Sequence, residues 1–126
     1  MEITGYGCED SFLEDDTFYH SWTSFAEILC SGVTKDILCD IGMPVLHGGT
    51  AYNCRLWVLN RKIIGIRPKM FMANDGNYRE MRYFTPWIPA RSSKFAFGEL
   101  EKFLLPPVIQ KITGQTTVGV AGNFEV

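Results

Sequence analysis

The sequence predicts an α/β domain in which one helix precedes three consecutive strands. Apolar residues first recur at the spacing of an amphipathic helix, at Phe18, Trp22, Phe25, Ile28 and Leu29. Strand-length runs that are rich in β-branched and aromatic residues then follow, at residues 37–45, 52–59 and 62–67. We therefore expect the helix to pack on the sheet that these runs form.

Polar residues mark both ends of the predicted helix. An acidic loop, residues 9–16, leads into it, and we expect the N-cap at Asp15, Asp16 or Thr17. Ser31-Gly32 supplies the C-terminal stop, because glycine adopts the left-handed conformation that commonly follows a helix.

Turn-forming residues separate the predicted strands. Residues 47–50, His-Gly-Gly-Thr, form the natural connection between the first and second strands. The second and third are separated by Asn60-Arg61, a gap of hairpin size in which asparagine tolerates a positive φ. Pro68 closes the third strand because proline cannot donate to a sheet.

The last third of the sequence is less regular. Residues 95–105 are apolar but follow no clear period, and Pro106-Pro107 would end any helix that precedes it. We expect a loop and a helical region there.

Composition limits the classes of partner. The chain has 126 residues, of which 46% are hydrophobic, and its formal net charge is −2, which is the material of one ordinary domain. It lacks the excess of lysine and arginine that nucleic acids or anionic membrane surfaces attract. No apolar run approaches the roughly 20 residues of a membrane span. We therefore expect neither nucleic acid nor a membrane as a partner.

The cysteines favour a reducing compartment. Cys8, Cys30, Cys39 and Cys54 form no CxxC pair and show no zinc-like spacing. The first residues do not resemble a signal peptide. We expect reduced thiols, no metal site and a cytoplasmic location.

Lys69 and Glu80 stand out as candidate functional residues. Lys69 follows a buried strand, and strand ends in α/β proteins commonly open onto the functional face. Glu80 follows after a polar loop, within a dense group of charged and aromatic residues. The alternatives are a solvated surface lysine and an exposed ion pair of Glu80 with Arg79 or Arg82, which would contribute little.

Short strings around these two residues carry a family likeness. They are DIGMPV (40–45), YNCR (52–55), LNRKI (59–63), RPKM (67–70), ANDGNYRE (73–80) and FTPW (84–87). In this order and spacing they resemble the nitrilase (carbon–nitrogen hydrolase) superfamily, and within it the N-terminal glutaminase domain of glutamine-dependent NAD(+) synthetases. The likeness extends weakly from about residue 3 to about residue 110. The fold that it implies is a four-layer αββα sandwich, present only in part, so that residues 1–126 would form a partial glutaminase domain.

The resemblance also implies roles. Lys69 would stabilise the oxyanion that develops when glutamine is hydrolysed, and Glu80 would orient the site beside it. Tyr6 and Tyr78 would line the glutamine pocket, although both could equally be core aromatics. The family's general-base glutamate would fall immediately before Met1, and Glu2 would point the opposite way from it. Its nucleophilic cysteine follows a turn that residues 119–126 do not match, and no cysteine follows Cys54.

We therefore expect these 126 residues to be catalytically silent, as a fragment, an aberrant gene model or a degenerate copy. The ATP and magnesium of such enzymes act in a synthetase domain whose Ser-Gly-Gly loop is not in this sequence, so no cofactor is expected here. Three alternatives stay open: a scaffold that joins the family's homo-oligomers, another nitrilase-family amidase, and an independent amidase that uses a Cys54–His47 dyad. The dyad is disfavoured, since Cys54 lies in mid-strand with no helix N-terminus to lower its pKa.

Overall fold

A five-stranded mixed sheet with helices packed on one face forms the core. The computed structural model describes residues 1–88 and 101–121. Its helices are α1 (Asp15–Cys30) and α2 (Pro107–Thr113), and its strands are β1 (Cys39–His47), β2 (Thr50–Leu59), β3 (Lys62–Pro68), β4 (Glu101–Leu104) and β5 (Thr117–Val120). The strand order is β1-β2-β3-β5-β4, and only the β3–β5 pair is parallel.

The core lies between α1 and the sheet, as predicted. Alternate residues of β2 point towards the helix and are buried there, namely Cys54, Leu56 and Val58. They pack with the apolar face of α1, which includes Phe25 and Leu29. The α/β class is therefore confirmed. The described residues supply one helical layer and one sheet layer of the expected sandwich.

The two predicted hairpins are confirmed. Gly48 and Gly49 have φ values of 56° and 76°, and Asn60 and Arg61 have φ values of 50° and 62°. A positive φ at both central residues is the condition for the tight turns that match the twist of paired strands. β1 starts later than predicted, at Cys39, because Asp36 has a φ of 58° and interrupts the extended backbone before it.

The start of α1 differs from the prediction. The N-cap is Glu14, whose side chain makes no capping hydrogen bond, so an N-cap at Asp15, Asp16 or Thr17 was wrong. The two aspartates lie instead in the first turn, where negative charge favours the helix dipole. The expected acidic loop contains a short 3-10 helix, Glu9–Leu13. The predicted end at Ser31-Gly32 is confirmed, with Ser31 as the C-cap.

The last third is more regular than predicted. Residues 101–104 of the irregular stretch form β4, whereas residues 95–100 lie outside the described part of the chain. Pro107 begins α2, because proline at the first position of a helix gives up an amide hydrogen that would have no partner there.

Candidate active site

Lys69 lies one residue beyond β3, where its backbone joins two neighbouring segments. Its amide donates to the carbonyl of Asn53 at 2.8 Å, and its carbonyl accepts from the amide of Trp87 at 2.9 Å. The backbone of Lys69 is therefore fixed on both sides, while its side chain stays 38% exposed. The backbone contacts therefore set where the lysine side chain begins, and the position of its ammonium depends on what that group contacts.

Glu80 meets Lys69 from a 3-10 helix, Glu80–Arg82. Nζ of Lys69 donates to Oε2 of Glu80 at 2.7 Å. The amide of Ala73 donates to the same oxygen at 2.7 Å, and the amide of Glu80 donates to the carbonyl of Ala73 at 3.1 Å. The loop from Ala73 to Glu80 thus closes on itself and presents the carboxylate to the lysine.

The third donor to this carboxylate is Asn53, on β2. Its side-chain nitrogen lies 2.9 Å from Oε1 of Glu80 and 3.2 Å from the hydroxyl oxygen of Tyr6. Asn53 is 5% exposed. The sequence analysis did not single out Asn53. A signal was present, because a polar side chain whose strand neighbours face the core lies on the opposite face and needs polar partners if it is buried.

These contacts keep Glu80 ionised. Burial raises the pKa of its carboxyl group, since a charge loses hydration inside the protein, but the hydrogen bonds from Lys69, Ala73 and Asn53 lower the pKa by more, so that it lies below the ordinary value of 4.5. Glu80 is a held carboxylate whose two oxygens already accept three hydrogen bonds, which suits orientation of Lys69 better than proton transfer.

Two cavities meet at Lys69. The tyrosine cavity, about 580 Å³, is lined by Lys69, Glu80, Tyr6 and Tyr78 among others. The arginine cavity, about 420 Å³, shares Lys69 and Tyr6 and adds Asn53, Arg55 and Arg67. Both volumes suit a small molecule. The structure therefore brings all four predicted site residues to one cavity.

The two tyrosines are exposed residues. Tyr6 is 55% exposed and Tyr78 is 72% exposed, so the alternative that they are core aromatics was wrong. The alternative of a Glu80 ion pair with Arg79 or Arg82 was wrong as well, because Glu80 pairs with Lys69, and Arg82 pairs with Asp10 at 3.1 Å.

The far wall of the tyrosine cavity is braced by aromatic and charged contacts. Asp10 accepts from Arg82 at 3.1 Å and from the hydroxyl of Tyr83 at 3.2 Å. The rings of Phe12 and Phe84 lie 5.0 Å apart, centroid to centroid. These contacts tie the two 3-10 helices together across the cavity.

Cys54 and His47 do not form a dyad. His47 pairs with Thr50 at the turn of the first hairpin, whereas Cys54 pairs with Met43, four residues further along β2 and about 13 Å away at the rise of a strand. Nε2 of His47 is hydrogen-bonded to Oε1 of Glu101 at 2.7 Å. Cys54 is 1% exposed, and burial raises the pKa of its thiol, which disfavours the thiolate that nucleophilic attack needs.

Glu2 lies in a turn formed by residues 2–4, and the strand that was expected to carry it is wrong. Its carboxylate accepts from Arg55 at 2.9 and 3.0 Å and from the amide of Gly42 at 2.5 Å. The hydrogen bond from Arg55 is the main reason that the pKa of Glu2 falls to about 2.

Neither a metal site nor a membrane-spanning helix occurs among the described residues. Within residues 1–88 and 101–121, histidine, cysteine, aspartate and glutamate form no cluster of three that could hold a metal ion. In the same ranges, no helix has the length and hydropathy that crossing a membrane requires.

The sequence is similar to those of known proteins. Over 118 residues, or 94% of the chain, it is 54% identical to the glutamine-dependent NAD(+) synthetase of Saccharomyces cerevisiae and 52% identical to that of Homo sapiens. Over 116 residues it is 57% identical to the enzyme of the same name from Dictyostelium discoideum. The chain spans only 15–16% of the length of these relatives. No family model matches it.

Solved structures share the fold. The glutamine-dependent NAD(+) synthetase of Cytophaga hutchinsonii superposes on 94% of this chain with a TM-score of 0.72 and 32% identity, and 17% of that protein is covered. The enzyme from Acinetobacter baumannii, solved with adenosine diphosphate, superposes on 68% of this chain with a TM-score of 0.60 and 27% identity, and 16% of that protein is covered. By sequence and by fold, the chain belongs to the glutamine-dependent NAD(+) synthetase family, as a segment about one sixth as long as its curated relatives.

Proposed function

We propose that this segment forms the lysine–glutamate half of a glutaminase site of the carbon–nitrogen hydrolase type. The observation that carries the proposal is the Lys69–Glu80 pair, 2.7 Å apart at the wall of a small-molecule cavity. The relatives act with glutamine by name. A held ammonium beside a cavity is the arrangement that polarising a carboxamide requires.

Lys69 is the electrophilic group of this proposal. An ammonium has three N–H donors, so donation of one to Glu80 leaves two for a ligand. When a nucleophile adds to the glutamine carboxamide, its carbonyl oxygen gains negative charge, and a preorganised donor there lowers the barrier by about 3–4 kcal/mol. Glu80 keeps the donor in place and balances its charge.

Tyr6 and Tyr78 are the substrate-binding residues of the proposal. Both line the cavity that Lys69 borders, and both are exposed to it. A phenol offers an apolar ring to the methylene groups of glutamine and a hydroxyl to its polar ends.

The remaining catalytic groups are not among these 126 residues. In the family's chemistry a cysteine thiolate attacks the carboxamide, a glutamate is the general base and ammonia leaves. Catalytic groups act as a unit, so that loss of one removes most of the rate. We propose that the 126-residue chain, produced alone, binds glutamine but releases no ammonia.

The whole enzyme would use the ammonia for ATP-dependent amidation of deamido-NAD, in the cytoplasm and as a homo-oligomer. ATP and magnesium would bind in the synthetase domain, and the described residues of this segment do not offer the cluster of acidic ligands that a magnesium ion requires. Everything that this segment contributes is therefore proposed to lie at the glutamine site.

Two measurements on the purified chain test the proposal. Calorimetric titration with L-glutamine should show binding, which Lys69→Ala abolishes and Lys62→Ala, a matched change at the other end of β3, leaves unchanged. An ammonia assay should show no release above the Lys69→Ala background. Absence of glutamine binding would overturn the proposed site. If glutamine does not bind but the chain co-purifies with a full-length relative, the alternative of a scaffold that joins the family's oligomers is favoured instead.

A further inference from the structure

Asn53 occupies a junction that the proposed mechanism does not use. Its side-chain nitrogen contacts both Glu80 and Tyr6, and these two residues lie on different segments of the site. Glu80 belongs to the group that holds Lys69, whereas Tyr6 faces both cavities. Among the described residues, Asn53 therefore links Glu80, which holds Lys69, to Tyr6, which lines both cavities.

The chemistry of the contacts fixes the orientation of the amide. An ionised carboxylate only accepts hydrogen bonds, so the group of Asn53 that faces Glu80 must be its NH₂. That group has two hydrogens, and the structure offers it two acceptors, Oε1 of Glu80 at 2.9 Å and the hydroxyl oxygen of Tyr6 at 3.2 Å. The oxygen of Tyr6 is thus an acceptor in this contact, and its own proton is directed away from Asn53.

We propose that Asn53 is a positioning residue of this site: its amide holds the Glu80 carboxylate beside Lys69 and makes the Tyr6 hydroxyl a donor towards the cavity. The consequence for the ligand rests on the proposed function. The atom that meets Tyr6 must be an acceptor, such as a carboxamide or carboxylate oxygen. A ligand that presents an N–H to Tyr6 is disfavoured.

The burial of Asn53 supports this role. The residue is 5% exposed, yet it lies on the opposite face of β2 from Cys54 and the helix-packed core. A buried amide that served packing alone would be replaceable by an apolar residue of its size. Here both hydrogens of the amide nitrogen are donated to groups of the site, so an apolar residue of the same shape could not replace Asn53 without loss of those hydrogen bonds.

The first test is a pH titration of Glu80 in the Asn53→Asp variant, monitored by NMR of the ¹³C-labelled glutamate side chains. The Glu80 signal is assigned by its absence in Glu80→Gln. The substitution keeps the shape but sets a carboxylate against Glu80, and like charges at this distance cannot both stay ionised. The pair should take up a proton at a pH where the parent holds none. Asn60→Asp is the matched control, because Asn60 lies in a turn away from the site, and it should leave the Glu80 titration unchanged.

The second test uses the tyrosine. Both Tyr6→Phe and Asn53→Asp should weaken L-glutamine binding about tenfold. Tyr6→Phe removes the hydroxyl donor, and in Asn53→Asp the new carboxylate accepts the Tyr6 proton, so that the hydroxyl no longer donates towards the cavity. The double variant should bind no more weakly than the worse single variant, because both changes remove the same hydrogen bond. Tyr6 is half exposed, so we expect Tyr6→Phe to keep the fold. If Asn53→Asp does not fold, Asn53→Ser replaces it. An upward shift of the Glu80 titration is expected for that variant as well.

The outcomes separate this inference from the proposed function. A Glu80 titration that responds to position 53 supports the inference even if glutamine does not bind, in which case only the proposed function fails. An unchanged Glu80 titration overturns the inference, and so do affinity losses that multiply in the double variant.

Discussion

Nζ of Lys69 lies 2.7 Å from Oε2 of Glu80, although the two residues are 11 positions apart and belong to different elements. The lysine is placed by the end of a strand, and the glutamate is placed by a loop that closes through the amide of Ala73. Neither element alone creates the pair. The pair therefore reports on whether the segment folds as a unit.

Glu80→Gln should destabilise the chain by about 1–3 kcal/mol at pH 7, because a buried charged hydrogen-bond acceptor is lost. The low end is expected, since Lys69 is partly exposed and solvent screens it. The folded-state pKa of Glu80 is lowered, so its contribution is present above the unfolded pKa near 4.5 and is lost as the pH falls through the folded value. Urea unfolding of both proteins at pH 7 and pH 3 measures this, and an equal difference at both pH values would contradict it.

Gly42→Ala should disturb the Glu2–Arg55 pair. A Cβ atom at position 42 would lie 2.5 Å from Oε2 of Glu2, 2.8 Å from Nη1 of Arg55 and 2.9 Å from the backbone nitrogen of Met1, so both side chains and the first residue must move. The pKa of Glu2 should then rise from about 2 towards its ordinary value of 4.5. A pH titration followed by NMR of the Glu2 carboxyl carbon in parent and variant checks this. An unchanged midpoint would show that the pair adapts without loss.

Cys54 should resist thiol reagents in the folded chain. It is 1% exposed and burial raises the pKa of its thiol, whereas Cys30 is exposed. Maleimide labelling followed by peptide mass mapping should modify Cys30 first and Cys54 only at the rate of unfolding. Rapid labelling of Cys54 without denaturant would contradict the placement and reopen the amidase alternative.

Arg61→Gly should stabilise the chain by about 1 kcal/mol. Arg61 has a φ of 62°, and a residue with a Cβ pays roughly 1–2 kcal/mol for the left-handed conformation that glycine adopts freely. Part of this gain is offset by the larger entropy of glycine in the unfolded chain. Thermal unfolding measures the difference, and a lower midpoint would mean that contacts of the arginine outweigh the strain.

The hairpins were predictable because local chemistry decides them. Asn60 and Arg61 connect two strand-length runs, rich in β-branched and aromatic residues, at a spacing that allows only a tight turn, and the structure has both at positive φ. The start of α1 was not predictable in the same way. Glu14 precedes the helix although its side chain makes no capping hydrogen bond, so the preference for capping side chains did not locate this end.

The residues that meet at the tyrosine cavity could be predicted where a motif contained them, but contacts between distant parts of the chain could not. Lys69 and Glu80 came from the family resemblance, since spacing alone does not show that a loop closes. Asn53 lay within a matching string, but its role depends on Tyr6 and Glu80 meeting it from distant parts of the chain. A helical region was expected in the last third, but the start of α2 at Pro107 was not predicted, because two consecutive prolines signal a helix end as readily as a helix start.

The most direct test of the account is the side-chain ammonium signal of Lys69, observed by NMR of the ¹⁵N-lysine-labelled chain at low temperature. The signal should be visible through its hydrogen bond to Glu80, disappear in Glu80→Gln, and shift when L-glutamine is added, while the Lys62 signal stays in place. A Lys69 signal that is insensitive both to Glu80→Gln and to glutamine would contradict the claim that this pair is the working part of a glutamine site.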